Sequence, residues 1–284
     1  MMTEKEIARL KLEAAKCRLN VLRMIRAGHH GHVGGALSAM DIVTALYFYK
    51  MKVDPSDPQM KDRDRFILSA GHKCLCQYAA LAEKGFFSKT ILDTYGSLGS
   101  HIPGHPDMHK LPGVEANTGA LGHGLAISLG MALGAKLSGT GAKVYTVMGD
   151  GELAEGSNWE AAAAAAHHKA DNLTAIVDFN GLQISGRVQE VMDFTPISEH
   201  FKAFGWAVRD IDGNNMEEIV DALDSLPFEE GKPSCIVAHT IKAKGLSFGE
   251  DNVSFHFWNA KEEQLDQAEA EMTALIEELR KEAE

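Results

Sequence analysis

Apolar positions recur along this 284-residue chain in two alternating rhythms. Over residues 4–27, Ile7, Leu10, Ala14, Cys17, Val21 and Met24 follow the three–four spacing of an amphipathic helix, and Gly28 marks its end. A histidine- and glycine-rich turn follows, His29-His30-Gly31-His32-Val33-Gly34-Gly35. Ser38 with Asp41 has the form of a capping signal for a helix reaching about Lys50, and Asp54-Pro55-Ser56-Asp57-Pro58 reads as a loop. Short apolar runs then take over, at Arg65–Ser69, Lys143–Met148, Leu173–Asp178, 206–211 and 234–240, each of strand length. Helical stretches separate them: one holding Tyr78 to Lys84, a small-residue segment Gly119–Leu137 that reads as a buried helix, Trp159–Lys169 and 215–226. Ser97 to Val114 lacks any period. Asn259–Glu284 carries Leu265, Met272, Leu275, Ile276 and Leu279 on a charged background, a terminal amphipathic helix.

Strands separated by helices predict an α/β fold, a parallel sheet with helices on both faces, forming one domain over residues 1–284. No internal repeat or low-complexity linker interrupts it. A hydrophobic content of 45% beside 24% charged residues is ordinary for a globular protein. A net charge of −12 without a basic patch argues against nucleic acid as a partner. No apolar run approaches the roughly 20 residues that span a bilayer. The charged, amphipathic start is unlike a signal peptide, so no membrane association and a cytoplasmic location are expected. Cys17, Cys74, Cys76 and Cys235 form neither a CxxC pair nor a metal pattern and read as reduced thiols.

The chemistry begins at Gly149-Asp150-Gly151, followed thirty positions after the aspartate by Asn180. Ligands of a parallel sheet bind at the carboxyl ends of its strands. Asp150 ends one predicted strand and Asn180 the next, so a crossover helix can return both to the same edge. A carboxylate, an amide oxygen and a backbone carbonyl are hard ligands that suit Mg²⁺ or Ca²⁺, with a diphosphate completing the octahedron. The flanking glycines let backbone N–H groups approach phosphate oxygens. Alone, Gly-Asp-Gly would be only a turn; the asparagine after a second buried strand turns the balance towards a metal–diphosphate site.

Thirteen histidines are a high count for this length. Imidazole suits proton transfer near neutrality and hydrogen bonding to sugar hydroxyls or phosphate, so neighbouring residues must decide each one's role. His29, His30, His167 and His168 read as surface residues, and His29, His30 and His32 lack the partner set of a zinc site. No GxGxxG follows a predicted strand, which disfavours a nicotinamide-binding domain.

The run from Gly149 to Ala161, with Glu155-Gly156 and Trp159-Glu160 inside it, resembles the thiamine-diphosphate motif of the transketolase family. Deoxyxylulose-phosphate synthases tend to carry Gly-Gly in place of Glu155-Gly156, and the alpha chains of 2-oxoacid dehydrogenases usually carry Asn-Gln-Gly. Other segments fall in the family's order. His32–Ser38 resembles its His-Pro-Gly turn, with Val33 for proline, and Ser69-Ala70-Gly71-His72 its Ser-x-Gly-His. Gly104-His105-Pro106 is similar to its substrate loop, and Gly119–Gly124 to its Gly-x-Leu-Gly-Gln-Gly, with His123 for glutamine. His256 resembles the histidine of its Trp-His segment, here flanked by Phe255 and by Phe257-Trp258.

The resemblance implies a thiamine diphosphate cofactor with Mg²⁺, or Ca²⁺ or Mn²⁺ in its place. Asp150, Asn180 and the main-chain oxygen of Leu182 would hold the metal, and Gly151 would donate to the diphosphate. Gly119 and Leu121 would pack on the aminopyrimidine. His72 and His256 would touch cofactor phosphate and reacting hydroxyls, while His32 and His105 contact substrate; His32, His105 and His256 are the implied catalytic residues. Glu155 and Glu160 would belong to a cofactor-linked network near a subunit interface. The implied reaction moves a two-carbon ketol unit from a ketose phosphate to an aldose phosphate. In the family, the carboxylate at N1′, the pyrimidine pocket and the substrate-phosphate clamp lie in further domains that have no counterpart among these motifs. The expectation is therefore a split enzyme, partnered by a C-terminal transketolase subunit carrying the pyrimidine domain, as a heterotetramer with two copies of each. Two variants stay open: a subunit for an unusual ketose, branched, deoxygenated or sulfonated, with Phe257-Trp258 as the place to look; or a non-catalytic regulatory subunit that keeps the fold.

Overall fold

A computed structural model describes residues 2–284. Helix α1 (Glu4–Gly28) starts from a reciprocal cap: Thr3 Oγ1 accepts from the Glu6 amide at 3.3 Å, and the Glu6 carboxylate accepts from the Thr3 amide at 2.8 Å. Gly28 is its last helical residue; the left-handed terminator is His29, at φ 62°. The glycine is needed for a different reason, since a Cβ there would stand 2.7 Å from Tyr95 Cδ1.

Strand β1 (His30–Gly31), α2 (Val33–Ser38) and α3 (Met40–Ala45) follow, and α3 runs on into a π-helical turn over Leu46–Lys50. The expected cap at Ser38 is not formed. The helix begins five residues earlier, and Ser38 is its buried last residue, with its hydroxyl turned to Asp178 Oδ2 at 2.6 Å. The remaining elements are β2 (Arg65–Leu68), α4 (Cys74–Lys84), α5 (Gly124–Ser138), β3 (Val144–Gly149), α6 (Gly156–His167), β4 (Leu173–Phe179), α7 (Val188–Val191), α8 (Ile197–Ala203), β5 (Ala207–Asp212), α9 (Met216–Asp224), β6 (Ser234–His239), β7 (Trp258–Asn259) and α10 (Glu262–Ala283).

Five strands make a parallel sheet in the order β2-β3-β4-β6-β5. Their bounds lie within a residue or two of those expected from the apolar runs. Period-two alternation divides each central strand between two cores. Phe66, Tyr145, Val147, Ile176 and Ile236 face the cluster filled by α1, α3, α4, α9 and α10. Val144, Met148, Leu173, Val177 and Val237 face the one filled by α5, α6 and α8. With helices on both faces the architecture is α/β. Two short strands, β1 and β7, form a separate antiparallel pair with His30 opposite Asn259, which no apolar run announced.

Helix α5 departs from expectation. It starts at Gly124, after a turn in which Gly119 and Gly122 take positive φ (137° and 83°), and it is buried along one side only: Leu137 is 90% exposed. No helix among the described residues is long and apolar enough to cross a membrane.

A buried ion pair joins the layer over the sheet to the loop after β6. Arg18 on α1 donates to both carboxylate oxygens of Asp41 on α3 at 2.8 Å, and its Nε donates to the Lys244 carbonyl at 3.1 Å. Removing one member of such a pair strands the other charge in the interior. Arg18→Ala should therefore lower the unfolding free energy by about 3–5 kcal/mol, read from chemical denaturation; a loss no larger than that of an exposed pair would show that Asp41 is rehydrated.

Candidate active site

Four neighbouring strands end on one edge of the sheet, and the segments that leave them build a single cavity. The segment after β2 brings His72 and Lys73, β3 brings Asp150 and Gly151, β4 brings Asn180 and Leu182, and the segment after β6 brings Lys242. His32 and Gly35 enter from the start of α2, Gly119 and Leu121 from the turn before α5, and His256 from the loop before β7. The cavity has a volume of about 410 Å³ and opens to the surface.

Hydrogen bonds lock this edge together. Asp150 accepts from the amides of Gly151 at 2.8 Å and Gly181 at 2.7 Å, tying the end of β3 to that of β4. Asn180 Oδ1 accepts from the Leu182 amide at 3.2 Å, and its Nδ2 donates to Ser38 Oγ at 3.2 Å. Burial pushes the Asp150 carboxyl up, against the pull of the Lys73 ammonium.

The expected imidazoles meet. His32 lies 5.3 Å from His72, 5.5 Å from His256 and 6.3 Å from His105, centroid to centroid, and the His72 and His256 rings are 5.4 Å apart. His105 packs against Gly119, where a Cβ would come within 2.7 Å of its Cδ2, and it faces an adjoining outer cavity of about 630 Å³. That outer space is also lined by His30, His101, His109, Lys110 and Phe257. Phe257 sets its ring edge-to-face against His32 at 4.9 Å.

Burial first, and then the Lys73 ammonium, push His72 down to about 2. Burial and then Lys242 push His256 down to about 4, and burial and then His105 lower His32. These rings are neutral near pH 7. Lys242 Nζ sits 3.2 Å from His256 Nδ1, and an ammonium can only donate, so Nδ1 accepts and the proton of His256 is on Nε2.

Glu155 and Glu160 do not line the cavity. Both are exposed at the start of α6, on the surface beside it. The acid built into the site is Glu152, 2% exposed, which no motif singles out. Its carboxylate accepts from the Gly122 amide at 2.9 Å, the Gly149 amide at 3.1 Å and the Ser69 hydroxyl, pinning the turn before α5 to the ends of β2 and β3. Lys73 and Lys242 are further members of the site that sequence reasoning missed, 3% and 2% exposed. Lys73 Nζ is 2.5 Å from Asp178 Oδ2, and Lys242 Nζ donates to the Leu182 carbonyl at 2.9 Å. Their only signal in the sequence is position, one residue after His72 and two after Thr240.

Residues 10–274 match the family profile described as transketolase, thiamine diphosphate binding domain. The chain belongs to the transketolase family, a family of transferases. Among its relatives, a subunit of the apulose-4-phosphate transketolase of Phocaeicola vulgatus is 42% identical over 98% of both chains. A 6-deoxy-6-sulfo-D-fructose transketolase subunit from a Clostridium species is 43% identical over 85% of this chain and 88% of its own. The crystal structure of transketolase from Campylobacter jejuni superposes with a TM-score of 0.87 at 32% identity, covering 96% of this chain and 43% of that one. The chain thus spans less than half the length of the solved transketolases it matches.

The depressed imidazoles have a consequence for stability. In the unfolded chain His72 and His256 take up protons below their ordinary 6.5, whereas folded they resist until about 2 and about 4. Stability is then complete above about pH 6.5 and falls as the pH drops below it, because the unfolded state binds more protons. The unfolding free energy should decline between about pH 6.5 and 5 by up to about 1.4 kcal/mol per pH unit for each ring. His72→Gln should flatten that slope; an unchanged slope would mean that the ring is protonated in the folded protein.

Proposed function

We propose that this chain is the diphosphate-binding subunit of a two-chain transketolase that uses thiamine diphosphate and Mg²⁺ to move a two-carbon ketol unit from a ketose to an aldose. What carries the proposal is the joining of the Asp150, Asn180 and Leu182 oxygens with His32, His72 and His256 around one cavity at adjacent strand ends. The donor set fits a metal–diphosphate. Asp150 is a carboxyl pushed up by burial, which a divalent cation would hold ionised, and its companions are neutral hard oxygens. Three protein oxygens leave places in an octahedral shell that a diphosphate's own oxygens can fill.

Asp150, Asn180 and the Leu182 carbonyl would hold the metal, with the Gly151 amide directed to the diphosphate. When bound, thiamine diphosphate supplies the nucleophilic carbon and the electron sink for breaking a C–C bond beside a carbonyl. The protein does the rest. Gly119 and Leu121 shape the wall on which the cofactor's ring packs. His256, protonated on Nε2 and neutral, donates a hydrogen bond to a substrate oxygen. His32 and His105 reach hydroxyls of the sugar, and His32, a neutral ring near pH 7, can accept a proton from one. Glu155 and Glu160, exposed beside the site, are assigned to the contact between assembled subunits.

The need for a second chain is supported by the subunit names of the relatives and by large apolar side chains open at the cavity's rim. Ile184 is 72% exposed, and Leu98 on the outer cavity is fully exposed. We assign that cover to a C-terminal transketolase subunit bearing the pyrimidine domain, in a heterotetramer with two copies of each. Four buried, unpaired cysteines favour the cytoplasm as its compartment. For the donor, relatives named for apulose-4-phosphate and for 6-deoxy-6-sulfo-D-fructose favour a branched or sulfonated ketose, with Phe257 facing its distal end.

Two experiments test the proposal. The purified chain should show negligible ketol transfer, with activity appearing on addition of the partner subunit; full turnover by the single chain would sink the two-chain assignment. A donor panel on the two-chain complex should give a higher kcat/KM for branched or sulfonated ketoses than for straight-chain ketose phosphates. Preference for the straight-chain donors would remove the substrate assignment alone.

A further inference from the structure

The glycines in the first turn of α2, Gly34 and Gly35, have a use that their backbone angles do not explain, since neither takes a positive φ. A Cβ on Gly34 would lie 2.6 Å from the Phe255 carbonyl oxygen and 2.9 Å from Lys242 Cγ. A Cβ on Gly35 would lie 2.9 Å from Lys73 Cε and 3.0 Å from its Cγ. Gly35 clears the path of the Lys73 stem and Gly34 that of the Phe255 carbonyl and the Lys242 stem, and both ammonium groups arrive in the cavity that holds Asp150.

Lys73 is the more unusual of the two. Its Nζ passes close to the Gly-Asp-Gly turn, 3.4 Å from where a Cβ on Gly149 would stand. An ammonium has three donors, and among the described residues Asp178 is its one hydrogen-bond partner, at 2.5 Å. Burying a cation is costly unless its donors are satisfied. The donors left over border the cavity, where a ligand rich in acceptor oxygens could meet them. Lys242 meanwhile occupies the Leu182 carbonyl, one of the oxygens assigned to the metal. Lys73 is paired with Asp178, and both ammonium ions line the cavity in which Asp150 stands. A free divalent cation approaching Asp150 meets like charge, whereas a diphosphate meets two cations.

Resting on the function proposed above, we infer that Lys73 is a fixed cation of the diphosphate pocket. It binds phosphate oxygens directly and keeps a free divalent metal out until the diphosphate arrives, so that metal enters with or after the cofactor. Lysine here is a binding residue, not only the counter-ion of Asp178.

Titration calorimetry on the full-length chain, with magnesium chloride and inorganic pyrophosphate as probes, tests this without reference to turnover. The wild-type chain should bind pyrophosphate in the absence of metal and show no heat with magnesium alone. Lys73→Met should weaken metal-free pyrophosphate binding by about 10- to 100-fold and make binding of magnesium alone measurable. Because Lys73→Met strands the Asp178 carboxylate, the double variant K73M/D178N serves as the control in which buried charge stays balanced. It should show the same loss of pyrophosphate affinity; recovery of wild-type affinity would mean that the lysine merely supports Asp178, and would overturn the inference. Magnesium binding by the wild-type chain that Lys73→Met leaves unchanged would overturn the exclusion of metal. Failure of the wild-type chain to bind pyrophosphate even with magnesium would count instead against the proposed function.

Discussion

A carboxylate without access to water organises this site. Asp178, the penultimate residue of β4, is fully buried and accepts from Lys73 Nζ, Ser38 Oγ and the Thr240 hydroxyl. Those partners come from the segment after β2, the end of α2 and the segment after β6. One side chain thus fixes three of the chain segments that converge on the strand ends. Its neighbour Glu152 does the same on the other side, joining the turn before α5 to β2 and β3. Two buried acids therefore set the spacing of the loops, while Asp150 stands in the cavity among imidazoles and ammonium ions.

This division explains the electrostatics. Imidazoles so close to each other and to two lysines could not all be charged, and their neutral state makes them hydrogen-bonding groups near pH 7. The only carboxylate assigned to a metal, Asp150, is itself held by two backbone amides, so it is oriented before any ligand arrives. Such prior order reduces what binding must later organise.

Much of the fold is readable in the sequence because buried parallel strands write themselves as short apolar runs, and all five stand out with errors of a residue or two. The pairing of Asp150 with Asn180 is readable for a related reason: both follow such runs, and adjacent strands place them on one edge. The turn at Ser38 misleads because a serine three residues before an aspartate has the local form of a cap, while its real partner, Asp178, lies 140 positions away. Helix α5 reads as buried because small residues line it on every side; nothing local distinguishes a core face from an open one. Lys73 and Lys242 escape notice because lysine is almost always a surface residue, and only three-dimensional proximity to Asp178 and Leu182 makes burial tolerable. Glu155 and Glu160 carry the family's pattern yet stand outside the cavity, so a motif can mark a place without lining it.

The small antiparallel pair of β1 with β7 bears on how the protein assembles. His30 faces Asn259 across more than two hundred intervening residues, and this contact holds the turn carrying His32 against the one carrying His256. Contacts of such long sequence separation carry a larger loop-closure entropy than local ones. Loosening this pair would part His256 from His32 while leaving the five-stranded sheet in place.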